Sequence, residues 1–300
     1  MSVGEAVGVI TTELERAVPS RRRLRRLLIT IRQNPLGFIG LVIILVLGVV
    51  AIFAPVIAPH GYGDLVDQSR EDPSLTHLFG TDNLGRDMFS RVVFGARISL
   101  SVGFVAVLGG TAVGTVVGII SGYTGGWLDS FIQRTVDTAI AFPALLFLFI
   151  VIQLLGPSVQ NVIIVIGIAI VPNVARVVRG AVLSEKNNPY VEAARALGAS
   201  TPRILFIHIL PNVAALAIVV ATTLLGTTIL AEATLSFLGL GVPAPNPSWG
   251  SDVSAARQHF PVHIWWALFP GAAISLTVLG FNLLGDSLRD IFDPRLRGRL

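Results

Sequence analysis

The strongest constraint on this chain is a series of apolar runs, near Leu36–Ile57, Ile98–Ser121, Val136–Leu155, Val159–Val178, Val213–Leu235 and Trp265–Leu284. Each holds about 20 residues, enough at roughly 1.5 Å per helical residue to cross the ~30 Å hydrocarbon core of a bilayer. A backbone in lipid must pair its own polar groups, which within one segment only a helix does. The runs therefore predict an all-α, polytopic membrane protein with six transmembrane helices. Composition agrees, with 53% hydrophobic and only 13% charged residues, against about a quarter charged in soluble domains. The first run is anchor-length, which argues against a cleaved signal peptide.

Cationic residues orient the spans. With the N-terminus inside, 17 of the 22 Lys and Arg residues fall on the inner side. The positive-inside rule then makes both termini cytoplasmic. The expected organisation is a basic N-terminal segment (1–35, with Arg21, Arg22, Arg23, Arg25, Arg26 and Arg32), a first span (36–58) and an external segment (59–97). A five-helix core (98–286) carries a cytoplasmic loop (187–212), and a cytoplasmic tail (287–300) ends the chain. The net charge of +4 reads as topology rather than nucleic-acid affinity, and membrane lipid is the expected surroundings.

Several chemistries find no support. With no cysteine, disulfides and thiolate sites are excluded. The five histidines show no metal-ligand spacing, so no metal site is expected. No GxxxxGK[ST] phosphate loop and no GxSxG elbow occurs. The chain is read as a non-enzyme that holds no cofactor, and the energy for any work must come from a partner or an ion gradient.

The loop Asn188–Asn212 carries the densest local signals. Asn188 is an expected N-cap with Pro189 at the first helical position. Gly198 is placed to end that short helix in the left-handed conformation. Thr201 and Pro202 repeat the cap-plus-proline pattern, and the second short helix is expected to end near Pro211. Ala193 and Ala194 keep the first helix thin. A thin, bent hairpin suits insertion into a cleft on another protein, although an ordinary interfacial loop remains the simpler reading.

Glu192-Ala193-Ala194, then Gly198, then Leu210-Pro211 resemble the EAA loop of ATP-binding-cassette importer permeases. His208 stands where that pattern has an apolar residue, as in peptide-type permeases. Segments His77–Arg91 (HLFGTDNLGRDMFSR), Gly95–Leu100, Leu235–Gly241, Pro247–Gly250 and Phe281–Arg295 resemble the second, C-type permease of the oligopeptide and dipeptide (peptide/nickel) group. The resemblance covers roughly residues 20–297. It implies a type I importer fold in a bacterial inner membrane and half of a translocation pathway. The implied partners are a homologous second permease, one or two ATPase subunits holding ATP and Mg, and an external substrate-binding protein. It also implies a coupling role for Tyr190, Glu192, Ala193, Ala194, Leu197, Gly198 and Pro211. Peptides are the leading substrate, ahead of glutathione or nickel chelates.

Other residues carry two readings each. Gly110, Gly114, Gly118 and Gly122, spaced by four, form a helix-packing seam or take part in gating. Glu232 is a structural hydrogen-bond partner or, with Asn282, a pathway or gate residue. Asp137 is expected to serve helix-end electrostatics or to pair with Arg134. Asp82 and Asp87 are expected to cap turns and pair with Arg86 or Arg91 rather than to form a metal-binding or catalytic acid pair, since no calcium-loop spacing and no His pair accompany them. Asp286, Arg289, Asp290, Asp293 and Arg295 form a mixed-sign surface network. The rival function is a gradient-driven secondary transporter or channel, which would place ionisable residues mid-membrane in related halves; a membrane enzyme is the third class.

Overall fold

A computed structural model describes residues 34–66 and 68–292. The arginine-rich tract before Asn34, Asp293 and Arg295 lie outside these. Among the described residues the regular structure is helical: α1 (Pro35–Ile52), α2 (Ala54–Ile57), α3 (Met88–Thr124), α4 (Gly126–Ala141), α5 (Ala144–Leu155), α6 (Val159–Glu185), α7 (Pro189–Ala196), α8 (Thr201–Arg203), a π-helical stretch (Ile204–Ile209), α9 (Leu210–Phe237), α10 (Trp249–Ala256) and α11 (Trp265–Phe292).

Five segments are long and apolar enough to cross a membrane: α1, α3, α6, Thr201–Phe237 and α11. The expected third span, Val136–Leu155, lies in a bent pair of helices, α4 and α5, which meet at 90° and together are long and apolar enough to make the sixth span. Pro143 causes the break. It lacks an N–H and forces its predecessor out of the helical region; accordingly Phe142 is extended, with ψ of 131°. α11 also runs through Phe292, past the expected end of the core at 286.

The centre is the pair α3 and α6. A Cβ on Gly110 would lie 2.5 Å from the carbonyl oxygen of Gly167, and one on Gly118 would lie 2.7 Å from that of Ala175. On Gly114 and Gly122 it would meet Val174 and Val182 at 2.7 and 2.9 Å. The four glycines thus line a close approach of α3 to α6. Val174, Val178 and Val182 of α6 are fully buried along it. α1 docks on α11 by the same means: a Cβ on Gly40 would lie 2.6 Å from the oxygen of Gly280.

The segments at 59–87 and 238–264 fold together at one end of the bundle. Asp82 Oδ1 accepts from the backbone N–H of Leu84 and Arg86 at 2.8 and 3.0 Å, while Arg86 Nε donates to Oδ2 at 2.7 Å. Asp87 caps α3, accepting from Ser90 N at 2.7 Å. Arg91 pairs with Asp252 of α10 rather than with Asp82 or Asp87. Trp249 is buried, and its indole N–H donates to Val92 O at 2.9 Å. Both aspartates thus cap turns; Asp82 pairs with Arg86 as expected, whereas Asp87 faces His77 and no arginine.

Candidate coupling hairpin and helix junctions

The loop after α6 forms a bent hairpin. α7 begins with Pro189 at its first turn and Glu192 close behind, where a carboxylate suits the positive end of a helix. Asn188 occupies the cap position, but its side chain makes no cap hydrogen bond; its carbonyl accepts from Val191 N and Glu192 N at 2.9 and 3.2 Å. Gly198 closes the helix with φ of +82°, a region costly for residues with a Cβ. The chain then turns into α8, whose cap is Ser200, one residue before the expected Thr201.

Pro211 does not end a helix. The chain passes through it into α9, because Ile204–Ile209 is wound as a π-helix. Leu210 N donates to Leu205 O, five residues back. The wider turn gives the proline ring room that an α-turn would deny it.

The hairpin is anchored by one face only. Val191, Ile204 and Ile209 are fully or almost fully buried in the main core. Glu192, Ala193, Leu197 and Gly198 are exposed, Leu197 to 89%, and nothing lies within 4 Å of a Cβ placed on Gly198. Ala194 is half-buried and Tyr190 is exposed.

A polar knot ties the hairpin to two spanning helices. The Tyr190 hydroxyl donates to Glu185 Oε1 at the end of α6. Asn212 Nδ2, at the start of α9, donates to the same carboxylate oxygen at 2.9 Å, to Tyr190 Oη at 3.0 Å and to His208 O at 2.8 Å. Desolvation, followed by the neighbouring Glu185, pushes the Tyr190 hydroxyl above its ordinary pKa, so it stays a proton donor at neutral pH.

A second junction was not foreseen. Arg179 donates from Nε and Nη2 to the two oxygens of Asp129, each at 2.6 Å. Ser121 Oγ joins the same carboxylate, and Lys186 Nζ donates to Gly122 O at 2.7 Å. The ends of α3, α4 and α6 are thereby clamped on the hairpin side. The signal was present as charges at the ends of apolar runs, but nothing local pairs residues 50 apart. Similarly, Asp137 pairs with Arg176 of α6, not with Arg134.

Glu232 is fully buried, accepting from Ser236 Oγ at 2.7 Å, while Ser236 Oγ in turn accepts from Val242 N at 3.2 Å. Ser236 thereby links Glu232 to the turn at Val242, while Glu232 Oε2 is buried without a hydrogen-bond partner among the described residues. Asn282 is exposed on α11, its amide oxygen 3.1 Å from a Cβ position on Gly226 of α9. The structure brings the hairpin residues together, and leaves Glu232 and Asn282 apart from them on other helices. The bend between α4 and α5 opens a cleft of 470 Å³ lined by Phe142, Pro143, Phe147, Pro172 and Asn173 among others.

Comparison with known proteins gives concordant findings. Residues 114–298 match the family described as binding-protein-dependent transport system inner membrane component. Residues 22–76 match the N-terminal TM domain of oligopeptide transport permease C. The chain is 46% identical over 268 residues to the dipeptide transport system permease protein DppC of Alkalihalophilus pseudofirmus, covering 89% of this chain and 88% of that one. It is 46% identical over 270 residues to the glutathione transport system permease protein GsiD of Escherichia coli, covering 89% of each. Among solved structures, the MetNI methionine ABC transporter in an inward-facing conformation aligns with a TM-score of 0.57 at 20% identity, over 69% of this chain and 98% of that one; this likeness concerns the fold.

Proposed function

Since the chain belongs to the binding-protein-dependent transport system inner membrane component family, as a permease subunit of an ATP-binding-cassette importer in the bacterial inner membrane, we propose that it forms half of an import pathway for dipeptides or related short peptides. The two relatives named above are permeases of dipeptide and glutathione transport systems. Both solutes are small, peptide-bonded and zwitterionic or anionic, and that shared chemistry supports the substrate class.

ATP and Mg act on separate ATPase subunits, one or two in number. A homologous second permease completes the pathway, and an external binding protein delivers the solute. The hairpin lies on the cytoplasmic side, with both chain ends. Tyr190, Glu192, Ala193, Ala194, Leu197 and Gly198 meet the ATPase, and Pro211 marks where its motion enters α9. The observation that carries this reading is the hairpin's division into a buried anchor (Val191, Ile204, Ile209) and an exposed tip (Leu197, Gly198). A segment fixed at its base transmits force as a rigid body. ATPase closure would push the hairpin, and the Glu185–Tyr190–Asn212 knot would pass the push to α6 and α9. The seam of α3 against α6 would keep those helices moving as one block.

The test is reconstitution of the full complex, with its binding protein, in proteoliposomes. Labelled dipeptide should accumulate only with ATP, and unlabelled glutathione or dipeptide should compete. Uptake driven by a proton gradient without ATP would overturn the reading.

A further inference from the structure

Three residues far apart in the sequence converge where α1 hands over to α3. His60 follows α2, His77 lies in the next loop, and Asp87 is the N-cap of α3. One ligand atom from each lies within 4.8 Å of the others. His77 and Asp87 are buried, and His60 is half-buried. His77 Nδ1 is 3.2 Å from Asp87 Oδ1, and the two imidazole rings are 5.9 Å apart.

We propose that His60, His77 and Asp87 bind a divalent transition-metal ion of the zinc class. Ligand chemistry supports this first: two imidazoles and one carboxylate are a donor set that zinc takes, leaving a fourth position for water. The second support is spacing. Ligands of a tetrahedral ion at about 2.0–2.1 Å sit about 3.3–3.4 Å apart, and the His77–Asp87 hydrogen-bond contact, at 3.2 Å, needs to open only slightly to reach that separation. The third is an orphan. His60 Nδ1 is buried without a hydrogen-bond partner among the described residues, a costly state that a metal, or a proton shared around it, relieves.

The surroundings hold the ligands in place. Asp87 divides its oxygens: Oδ2 accepts from Ser90 N and Ser90 Oγ, both at 2.7 Å, leaving Oδ1 directed at His77. Ser90 Oγ also accepts from His60 N at 3.2 Å. One serine thus positions two of the three ligands, as second-shell groups in metal sites do. Bound metal would staple the end of the first span to the start of the core. Histidine spacing alone hides the site, because its ligands come from three turns that only the fold brings together. The inference does not depend on which solute the complex carries.

The experiment uses the whole complex, purified through a tag without histidine, stripped with a chelator and titrated with Co2+ and then Zn2+. Wild type should take up one more ion per copy of this chain than His60→Ala. It should also show the intense visible bands of four-coordinate cobalt, bleached by Zn2+. His60→Ala should weaken zinc binding by about 100-fold or more. Equal uptake by wild type and His60→Ala overturns the proposal. So does a wild-type complex without the cobalt bands, a result that decides alone if the variant does not assemble.

Discussion

Arg91 and Asp252, 161 residues apart, form a buried ion pair in which Arg91 Nε and Nη2 both donate to Asp252 Oδ1. Arg91 also donates from Nη1 to Tyr62 O at 3.2 Å. One guanidinium therefore fastens α3 to α10 and to the loop after the first span. Burial pushes the Asp252 carboxyl up and the Arg91 charge opposes it.

Arg91→Ala should accordingly cost about 3–5 kcal/mol, because it strands a buried carboxylate. The double variant Arg91→Met/Asp252→Leu should recover most of that loss. With Arg91 gone, the folded-state pKa of Asp252 rises further, so the deficit grows as pH rises and shrinks toward the acid range, where Asp252 is protonated in folded and unfolded chains alike. Thermal unfolding of the detergent-solubilised complex at several pH values measures this; a deficit independent of pH would show that Asp252 is not the stranded group.

Gly114→Leu should force α3 and α6 apart. A single Cβ there would already lie 2.7 Å from Val174 Cβ and 3.0 Å from Val171 O. Overpacking of this kind costs about 1–3 kcal/mol or more, read as a lower Tm and reduced yield of assembled complex. Gly109→Leu is the control, since nothing lies within 4 Å of its Cβ position. Equal effects at the two positions would show that close approach at Gly114 does not hold α3 against α6.

Tyr190→Phe deletes the hydroxyl shared by Glu185 and Asn212. The hydrogen bond to a charged group is worth about 1.5–3 kcal/mol. The expected phenotype is an assembled complex whose ATP hydrolysis continues while transport per ATP falls severalfold. Parallel uptake and phosphate-release assays check it; an unchanged ratio would take the knot out of the coupling path.

Gly198→Val should uncouple more strongly than Gly198→Asn. The φ of +82° costs a β-branched residue about 1–2 kcal/mol or more, whereas Asn tolerates the left-handed region. If the Val variant assembles and transports with normal ATPase stimulation, the hairpin bend is not the coupling element.

Much of the hairpin's backbone geometry was legible because its signals are local. Pro189 and Gly198 set the bounds of α7 through their own backbone restrictions, and the Gly110–Gly122 spacing implied a close seam. Pro211 misled for the same reason: judged alone it stops a helix, but five-residue hydrogen bonding before it makes room. Glu232 was ambiguous because a carboxylate near a helix end looks alike whether it faces a lumen or a serine hydroxyl.

The sequence by itself determined that the chain spans a membrane, where nearly all its spans lie, and where its hairpin bends. Apolar length and backbone stereochemistry act within a few residues, so they can be read in order. Only the tertiary structure decided the 90° angle between α4 and α5, the pairing of Arg91 with Asp252 and of Arg179 with Asp129, and the meeting of His60, His77 and Asp87. Such partners are selected by packing across the bundle, where a buried charge or ring nitrogen settles with whatever complementary group the fold brings within reach.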